Sequence, residues 1–316
     1  MDFPVAVACI AFTGTAVDEA DGIYNVENLF DTIGSPETYD TAFSPQGSMN
    51  WNTSRYMKKI GMLARAIAAA GGDRPVDFIV LCEVENDSVV SDLIDKTSLH
   101  RLGYSYIMTH GVDVRGINIA LLYRPLHYSP FHTACLRPFS AEDSWTTRDI
   151  LHVSGLTHSG DTLDIFGVHF PSRSGGAQGA VRRKRVAAFL KAKADSVVRR
   201  RMRPRVVIAG DFNDEASDVS IRRTLCGDGK FVVLHPDKSV VGGTYKYRGK
   251  WNELDHFLVN AEMHEVSFTS VKILTSDFLL EPDAVHGGRK PRRTYLGPIY
   301  KGGISDHLPV VMEFLP

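Results

Sequence analysis

Acidic and amide side chains follow apolar runs in this 316-residue chain, where they would stand at the mouth of a buried strand. Glu83 comes directly after the run that ends at Cys82, and Asn25 and Glu27 lie in the segment 24–31. A carboxylate in such a position is costly unless it is paired or bound to a metal. Mg²⁺ takes one or two carboxylates together with waters and substrate phosphate. Asn25, Glu27 and Glu83 therefore suit a cation site, although each alone is more often a structural hydrogen-bonding group.

A second acidic motif follows a later apolar run. Asp211 and Asn213 are separated by one residue after Gly210, so in an extended segment their side chains would point to the same side. One of them can accept a proton or orient water while the other donates to phosphate. A single motif of this kind is weak, because turns also use Asp and Asn freely.

Histidines stand beside carboxylates or at strand ends in three places. His307 follows Asp306, Asp255 begins an apolar segment, and His169 ends another. An imidazole that hydrogen-bonds a second carboxylate becomes an oriented base, and Asp255 is a plausible partner for His307. The alternative for His169 is a buried structural histidine, which is equally compatible with the sequence.

Other catalytic signatures are absent from the sequence. No GxSxG, HExxH, Walker or Rossmann motif occurs, so a serine hydrolase with a nucleophile elbow is not indicated. The cysteines form no CxxC pair, which argues against a zinc cluster; they are Cys9, Cys82, Cys135 and Cys226.

The elements that must position these residues are short strands and a few helices. Turn-bounded β-rich runs predict strands at residues 76–82, 117–123, 150–156, 162–168, 205–209, 254–259 and 308–314. Helical spacing at Tyr56, Ile60, Leu63 and Ile67 predicts a helix that Gly71 and Gly72 end. Two more helices are expected at about 88–97 and 178–201. Many strands among few helices predict two packed sheets covered by helices.

We expect one domain over residues 22–316, preceded by a tail or leader-like segment at residues 1–21. The apolar residues 3–12 have no Lys or Arg before them, so both a cytoplasmic and a secreted or periplasmic location stay open. No apolar run approaches the length of about 20 residues that spans a bilayer. The net charge of −1 gives no sign of a globally basic nucleic-acid binder.

Residues 182–205 differ from the rest in charge, with 11 basic residues and one acid, Asp195. The segment could face a polyanion. A solvated outer face of a surface helix is the favoured interpretation.

Taken together and in order, these motifs resemble the endonuclease/exonuclease/phosphatase superfamily, which includes deoxyribonuclease I and exonuclease III, and in particular its bacterial branch. The matching residues are Tyr24-Asn25-Val26-Glu27-Asn28, Glu83, Val168-His169, Gly210-Asp211-Phe212-Asn213, Leu254-Asp255 and Ser305-Asp306-His307. The resemblance implies a four-layer α/β sandwich, with two mixed β-sheets face to face and helices outside.

The resemblance also implies roles for these residues. Glu83 and Asn25 match the metal-site positions, with Glu27 and Asp306 as further acids, and Mg²⁺ or Mn²⁺ is the expected cofactor. His307 matches the general base, oriented by Asp255. Asp211 and Asn213 match the pair that holds phosphate and the attacking water, and His169 matches a second histidine found in the deoxyribonuclease I branch.

We therefore expect a metal-dependent phosphodiesterase with nuclease-like activity, acting as a monomer on a phosphoester substrate such as nucleic acid. Substrate contacts are expected from Arg124, Arg173, Tyr245, Trp251 and Arg292. The alternatives are a phosphatase or phospholipase-type hydrolase of inositol phosphate or sphingomyelin-like headgroups, and a binding module that has lost catalysis.

Overall fold

Two six-stranded sheets form the centre of the structure, a computed structural model that describes residues 19–34, 41–140, 143, 145–238 and 240–314. In chain order the strands are β1 (Glu19–Leu29), β2 (Phe78–Val84), β3 (Ser105–Met108), β4 (Asn118–Tyr123), β5 (Tyr128–Leu136), β6 (Ile150–Thr157), β7 (Thr162–His169), β8 (Val206–Asp211), β9 (Phe231–Leu234), β10 (Tyr245–Tyr247), β11 (Lys250–Asn252), β12 (Asp255–Asn260), β13 (Phe268–Ile273), β14 (Leu280–Pro282), β15 (Arg289–Pro291), β16 (Tyr295–Leu296), β17 (Ile299–Tyr300) and β18 (Val310–Phe314). The helices are α1 (Thr53–Ala70), α2 (Asp87–Asp95), α3 (Gly176–Arg200) and α4 (Ala261–Ser267).

Both large sheets are mixed. The first has the order β13-β18-β1-β2-β4-β3, and its only parallel pair within this order is β1 with β2. The second has the order β5-β6-β7-β8-β12-β9, in which β7 and β8 are parallel. Because the carboxyl ends of parallel neighbours meet at one edge, each sheet presents two strand ends side by side. The pairs β10–β11, β14–β15 and β16–β17 are small separate ribbons.

Successive side chains of a strand point to opposite faces of its sheet, and the apolar ones form three layers. Phe78, Val80 and Cys82 of β2 pack between the two sheets, whereas Ile79 and Leu81 face α1 and α2. Helix α3 covers the outer face of the second sheet through a third cluster. Helix, sheet, sheet and helix therefore stack in the expected four-layer α/β sandwich.

Helix α1 follows the predicted pattern, since Tyr56, Ile60, Leu63 and Ile67 are all buried. The side chain of Asn52 caps its first turn by accepting a hydrogen bond from the backbone N–H of Arg55 at 3.1 Å. Lys59 shares the buried face of this helix.

All seven predicted strands and all three predicted helices are confirmed, with ends that differ by a few residues. Strand β1 begins at Glu19, inside the segment 1–21 that we expected to precede the domain; residues 1–18 lie outside the described residues. Among the described helices, none is both long and apolar enough to cross a lipid bilayer.

Acids from other parts of the chain neutralise much of the basic segment 182–205. The ion pairs are Arg183–Asp214 at 2.7 Å, Arg185–Asp143 at 2.8 Å, Lys191–Asp228 at 2.8 Å, Arg201–Asp164 at 2.8 Å and Arg205–Asp161 at 3.3 Å. These pairs favour a structural role for the segment over a surface that faces a polyanion along its whole length.

Candidate active site

A cavity of about 520 Å³ opens where the ends of β1 and β2 in one sheet meet the ends of β7 and β8 in the other. The predicted catalytic residues His169, Asp211, Asn213 and His307 line it together with the predicted metal ligands Asn25, Glu27, Glu83 and Asp306. Asp255 lies behind His307. The fold therefore brings together in space residues that are up to 282 positions apart in the sequence.

Glu83 owes its position to a bulge in β2. With regular alternation it would lie beside Leu81 under the helices, but its φ of 69° falls in the left-handed region and the pairing register shifts between Cys82 and Val84. The side chain turns into the cavity, where it accepts a hydrogen bond from the backbone N–H of Asn28 at 2.8 Å. Burial opposes its ionisation, but the Arg115 guanidinium at 3.4 Å and this hydrogen bond keep the pKa of Glu83 below its usual value.

A second bulge, in β1, places Asn25 and Glu27. Glu27 and Asn28 both have φ near 50°, and the register against β2 shifts between Asn25 and Leu29. Asn25 accepts a hydrogen bond from the backbone N–H of Glu27 at 3.0 Å and donates from Nδ2 to Asp211 at 3.0 Å. Its amide thus links the two sheets at the site.

Asp211 ends β8 and Asn213 lies two residues beyond it, next to an unusually close contact between β8 and β7. Gly210 has a φ of 147°, and a Cβ there would lie 1.9 Å from the carbonyl oxygen of Val168, so only glycine fits. Asp211 then accepts a hydrogen bond from the backbone N–H of Asn213 at 2.8 Å, and the Asn213 amide donates to the carbonyl of Phe170 at 3.1 Å.

His307 is hydrogen-bonded through Nδ1 to Oδ2 of Asp255 at 2.7 Å, which leaves Nε2 on the cavity side, 3.9 Å from Asp211. Thr244 donates to the same Asp255 oxygen at 2.5 Å and fixes the carboxylate. Burial opposes the charge on this imidazole, yet the neighbouring Asp255 and Asp211 carboxylates raise the pKa of His307 well above its ordinary value.

His169 has the opposite electrostatic character. Burial, reinforced by the cations Arg148 and Arg115, lowers the pKa of its imidazole well below the usual value, so the ring is neutral. Its Nδ1 is buried without a hydrogen-bond partner among the residues described, which assigns the ring proton to Nε2. That nitrogen lies 3.5 Å from Asp211 and 3.8 Å from Glu83, facing the cavity as a donor.

Negative charge is crowded in the cavity wall. Burial, with repulsion from Asp306, raises the pKa of Glu27 to about 7 even though Lys59 and Arg293 lie nearby. Burial also raises the pKa of Asp211 to about 6. Carboxylates whose charge is incompletely balanced, next to an amide oxygen, form a donor set that hard divalent cations prefer. Glu83, Asn25, Glu27 and Asp306 therefore fit a cation such as Mg²⁺ or Mn²⁺.

Asp211, Asp255 and His307 also bring potential ligand atoms within 4.8 Å of one another. The facing atoms of Asp255 and His307 already share a hydrogen bond. This hydrogen bond suits a group that transfers protons.

Three arginines line the cavity, and each already contacts an acid or amide. Arg115 pairs with Glu83 at 3.4 Å, Arg173 donates to Asn252 at 3.0 Å and to Asp218 at 3.2 Å, and Arg293 donates to Asp306 at 2.8 Å. Sequence reasoning missed Arg115, which lies in a loop without a motif. It also missed Lys59, whose place on the apolar face of α1 was a usable signal: its Nζ donates to the Glu27 carbonyl and to Thr294.

Of the expected substrate contacts, the structure brings Arg173 and Tyr245 to the cavity. It places the other three elsewhere, which corrects those predictions. Arg124 follows β4 at the opposite end of the sheet, where it pairs with Asp77 at 3.5 Å. Trp251 packs against the apolar layer below α1, and its neighbour Asn252 lines the cavity instead. Arg293 takes the place expected for Arg292, because adjacent residues in an extended loop point to opposite sides.

The four-layer sandwich, the oriented histidine and the cluster of carboxylates at one edge are compatible with a hydrolase of phosphoesters. The family model described as Endonuclease/Exonuclease/phosphatase family matches residues 21–315, so the chain belongs to this family. Members of the family are hydrolases that act on phosphoesters and generally use divalent metals. No curated protein sequence matches the chain at a significant level.

Solved structures resemble the chain over nearly its whole length. They include an endonuclease/exonuclease/phosphatase family protein from Bacteroides thetaiotaomicron, with 16% identity, a TM-score of 0.61 and coverage of 95% of each chain. Mannosyl-6-phosphatase from the same species has 15% identity and a TM-score of 0.63 over 94% of this chain and 100% of that one. TDP2 from Caenorhabditis elegans has 13% identity and a TM-score of 0.60 over 95% of this chain and 75% of that one. At these identities the likeness shows the fold alone.

Proposed function

We propose that this phosphoesterase hydrolyses phosphodiester bonds in the manner of a nuclease, with Mg²⁺ or Mn²⁺ as its cofactor. The observation that carries the proposal is the hydrogen-bonded pair His307–Asp255, which faces Asp211 and lies across one cavity from Glu83 and Asn25. An oriented base, a water-positioning acid and a hard-cation site are the parts that hydrolysis without a covalent intermediate requires.

Each residue has a distinct role in this proposal. His307 takes a proton from the attacking water through Nε2, while Asp255 holds the imidazole ring in place. Asp211 positions that water, and Asn213 and His169 donate hydrogen bonds to the phosphoryl oxygens as negative charge develops. A bound cation supplies charge neutralisation at a phosphate oxygen. Donors of this kind are each typically worth about 3–4 kcal/mol of activation free energy.

The charge of the cavity favours a diester over a monoester. Its arginines are already paired, and four carboxylates line the same wall: Glu27, Glu83, Asp211 and Asp306. A phosphate monoester carries about −1.5 to −2 charges at neutral pH, whereas a diester carries one. The repulsion is therefore smaller for the diester.

Aromatic rings at the cavity rim support nucleic acid as the first substrate class to test. Tyr247 has 54% of its surface exposed, and the ring centroid of Tyr245 lies 5.0 Å from that of His307. Exposed aromatic rings beside a phosphodiester site can stack on bases regardless of sequence.

A substrate panel with the purified chain tests the proposal. The panel contains bis-nitrophenyl phosphate, nitrophenyl phosphate, plasmid DNA, RNA, an inositol phosphate and sphingomyelin, each with Mg²⁺, Mn²⁺ or EDTA. We expect hydrolysis of the diesters with either metal and none in EDTA. His307→Ala should lower kcat by about 10²-fold, with little change in KM because the base acts in the chemical step.

His158→Ala is the matched control, since His158 is exposed and lies outside the cavity, and it should keep full activity. Preferential cleavage of nitrophenyl phosphate or inositol phosphate would show instead a phosphatase. A folded His307→Ala protein with wild-type kcat on the best substrate would contradict the proposed mechanism.

A further inference from the structure

A second cavity of about 520 Å³ lies on the outer face of the second sheet, between the edge strand β5 and helix α3. It shares no lining residue with the active-site cavity. Asp164 on its floor precedes His169 by five residues along β7, which corresponds to about 17 Å of strand. The cavity is therefore a separate feature, and a volume of this size is typical of small-molecule sites.

Buried polar side chains that hydrogen-bond one another form the floor of this cavity. Asp164 is fully buried and accepts hydrogen bonds from Ser154 at 2.5 Å, from His152 Nε2 at 3.1 Å and from Arg201 at 2.8 Å. The same imidazole nitrogen, Nε2, faces both Ser154 and Asp164. A nucleophilic triad needs the two imidazole nitrogens to contact different partners. The network is therefore not a nucleophilic triad.

The wall formed by α3 carries two positive side chains that no acid pairs with in the part of the chain that the structure describes. Lys193 and Arg200 line the cavity, and no carboxylate in the described ranges lies within 4 Å of their side-chain nitrogens. Arg183, Arg185 and Lys191 of the same helix are all paired with aspartates. An anion is therefore the ligand that this wall favours.

The opposite wall offers flat rings. Phe131 of β5 has 56% of its surface exposed, and the Arg201 guanidinium lies 5.8 Å from its ring centroid. His132 is also exposed, with its ring centroid 5.7 Å from that of His152, which in turn stacks on Phe166 at 4.2 Å. Exposed rings on an edge strand provide stacking surfaces for a planar group.

We propose that this cavity binds a nucleoside monophosphate. Its phosphate would contact Lys193 and Arg200, and its base would stack on the rings of β5. A simple oxyanion would leave the aromatic wall unused, and an uncharged ring would leave the cations unpaired. The proposal concerns a site apart from the proposed hydrolysis and stands independently of it.

Isothermal titration calorimetry of the full chain with adenosine 5′-monophosphate in EDTA tests the site. Adenosine and inorganic phosphate serve as the two partial ligands. We expect the nucleotide to bind and both partial ligands to bind at least about tenfold more weakly, because each lacks one set of contacts. Replacing Lys193→Gln together with Arg200→Gln should raise the Kd of the nucleotide by at least about tenfold.

Two control variants distinguish binding in this cavity from binding in the active site. Lys184→Gln with Arg199→Gln removes the same charge from exposed positions of α3 outside the cavity, and this control should bind as the wild type does. His307→Ala should also bind normally. Binding that persists in the Lys193/Arg200 variant, or phosphate that binds as tightly as the nucleotide, would overturn the proposal.

A second measurement uses the wild-type protein and compares the chemical reactivity of its lysines with and without the nucleotide. Acetylation of surface lysines, read by mass spectrometry, should be slowed by the nucleotide at Lys193 and unchanged at Lys184. Equal reactivity at Lys193 with and without a saturating concentration of nucleotide would also overturn the proposal.

Discussion

His307 lies between two carboxylates, and this position determines how its charge responds to pH. Burial opposes protonation, but Asp255 and Asp211 raise the pKa of His307 well above its ordinary value. A base must be neutral to accept a proton, so the proposed mechanism predicts that kcat/KM rises as pH increases through the pKa of His307. Removing the Asp255 charge lowers that pKa.

Asp255→Asn should therefore move the rising limb of the pH–rate profile to lower pH. It should also reduce the maximum rate, because the amide holds the imidazole less firmly. The measurement is kcat/KM against pH for both proteins, with Asp277→Asn, an exposed position outside the cavity, as control. If the rising limb of the pH–rate profile stayed at the same pH in Asp255→Asn, a group other than His307 would determine it.

Residue types and spacing predicted most of the candidate site. Glu83, His169 and Asp211 each follow an apolar run, and that signal is visible in the sequence. The arginines were harder to predict, because loop residues reach the cavity through folding that no local pattern encodes. Arg115 and Arg293 carry no periodicity, and Arg124 follows an apolar run at the opposite end of its sheet.

At the scale of elements, the strands of the two large sheets that the sequence failed to predict are mostly edge strands. β3, β5, β9 and β13 flank the two large sheets, whereas the predicted strands lie inside them. An interior strand is buried on both faces and reads as a continuous apolar run. β5 is largely exposed and contains Pro130 at a register shift, which an edge strand tolerates and an interior strand does not. The central strand β1 also escaped prediction, because Asp21 and Gly22 interrupt its pattern.

The ion pair between Asp164 and Arg201 ties the end of α3 to β7 and makes stability depend on pH. Burial opposes ionisation of Asp164, but hydrogen bonds from His152, Arg201 and Ser154 outweigh it and lower the pKa of Asp164 to about 2. The unfolded value is about 3.9. A depressed folded-state pKa stabilises the fold fully above about pH 4, and this contribution is lost as pH falls towards 2.

Asp164→Asn should lower the free energy of unfolding by about 2–3 kcal/mol at pH 7. The difference from the wild type should shrink at pH 3, where part of the contribution is already lost. Urea denaturation at both pH values measures this difference. The control is Glu313→Gln, which removes the solvent-exposed ion pair between Lys272 and Glu313. An equal difference at both pH values would assign the loss to packing instead.

At the scale of the whole molecule, the family resemblance carried by six short motifs in order predicted the four-layer sandwich. Residues that meet in one cavity come from both sheets and from the C-terminal loop before β18, so the motifs constrain the topology as well as the chemistry. The solved structures with 13–16% identity share this fold. The core of a sandwich requires apolar side chains of suitable total volume at alternate positions of each strand, and many sequences meet this requirement. The fold can therefore persist at such low identity.

A cation that relieves the crowding of carboxylates should stabilise the whole fold. At about 100 times its dissociation constant, Mn²⁺ should add about 2.7 kcal/mol to the free energy of unfolding. We expect Tm to rise by several degrees, and Glu83→Gln to remove most of that rise. Calorimetric scans with and without Mn²⁺ measure it, with Glu262→Gln on the exposed side of α4 as control. An unchanged Tm at saturating Mn²⁺ would contradict the assigned cation site.

Glu27, Asn28, Glu83 and Asn213 share a left-handed backbone conformation that side chains other than glycine adopt rarely. Each such residue costs about 1–3 kcal/mol, and all four lie where the strands open into the cavity. Selection for thermal resistance alone would favour glycine at these positions, whereas selection for hydrolysis would keep the side chains that reach the substrate. The two pressures oppose each other at these positions, so laboratory evolution of this chain for heat tolerance should leave them unchanged only when activity is screened in parallel.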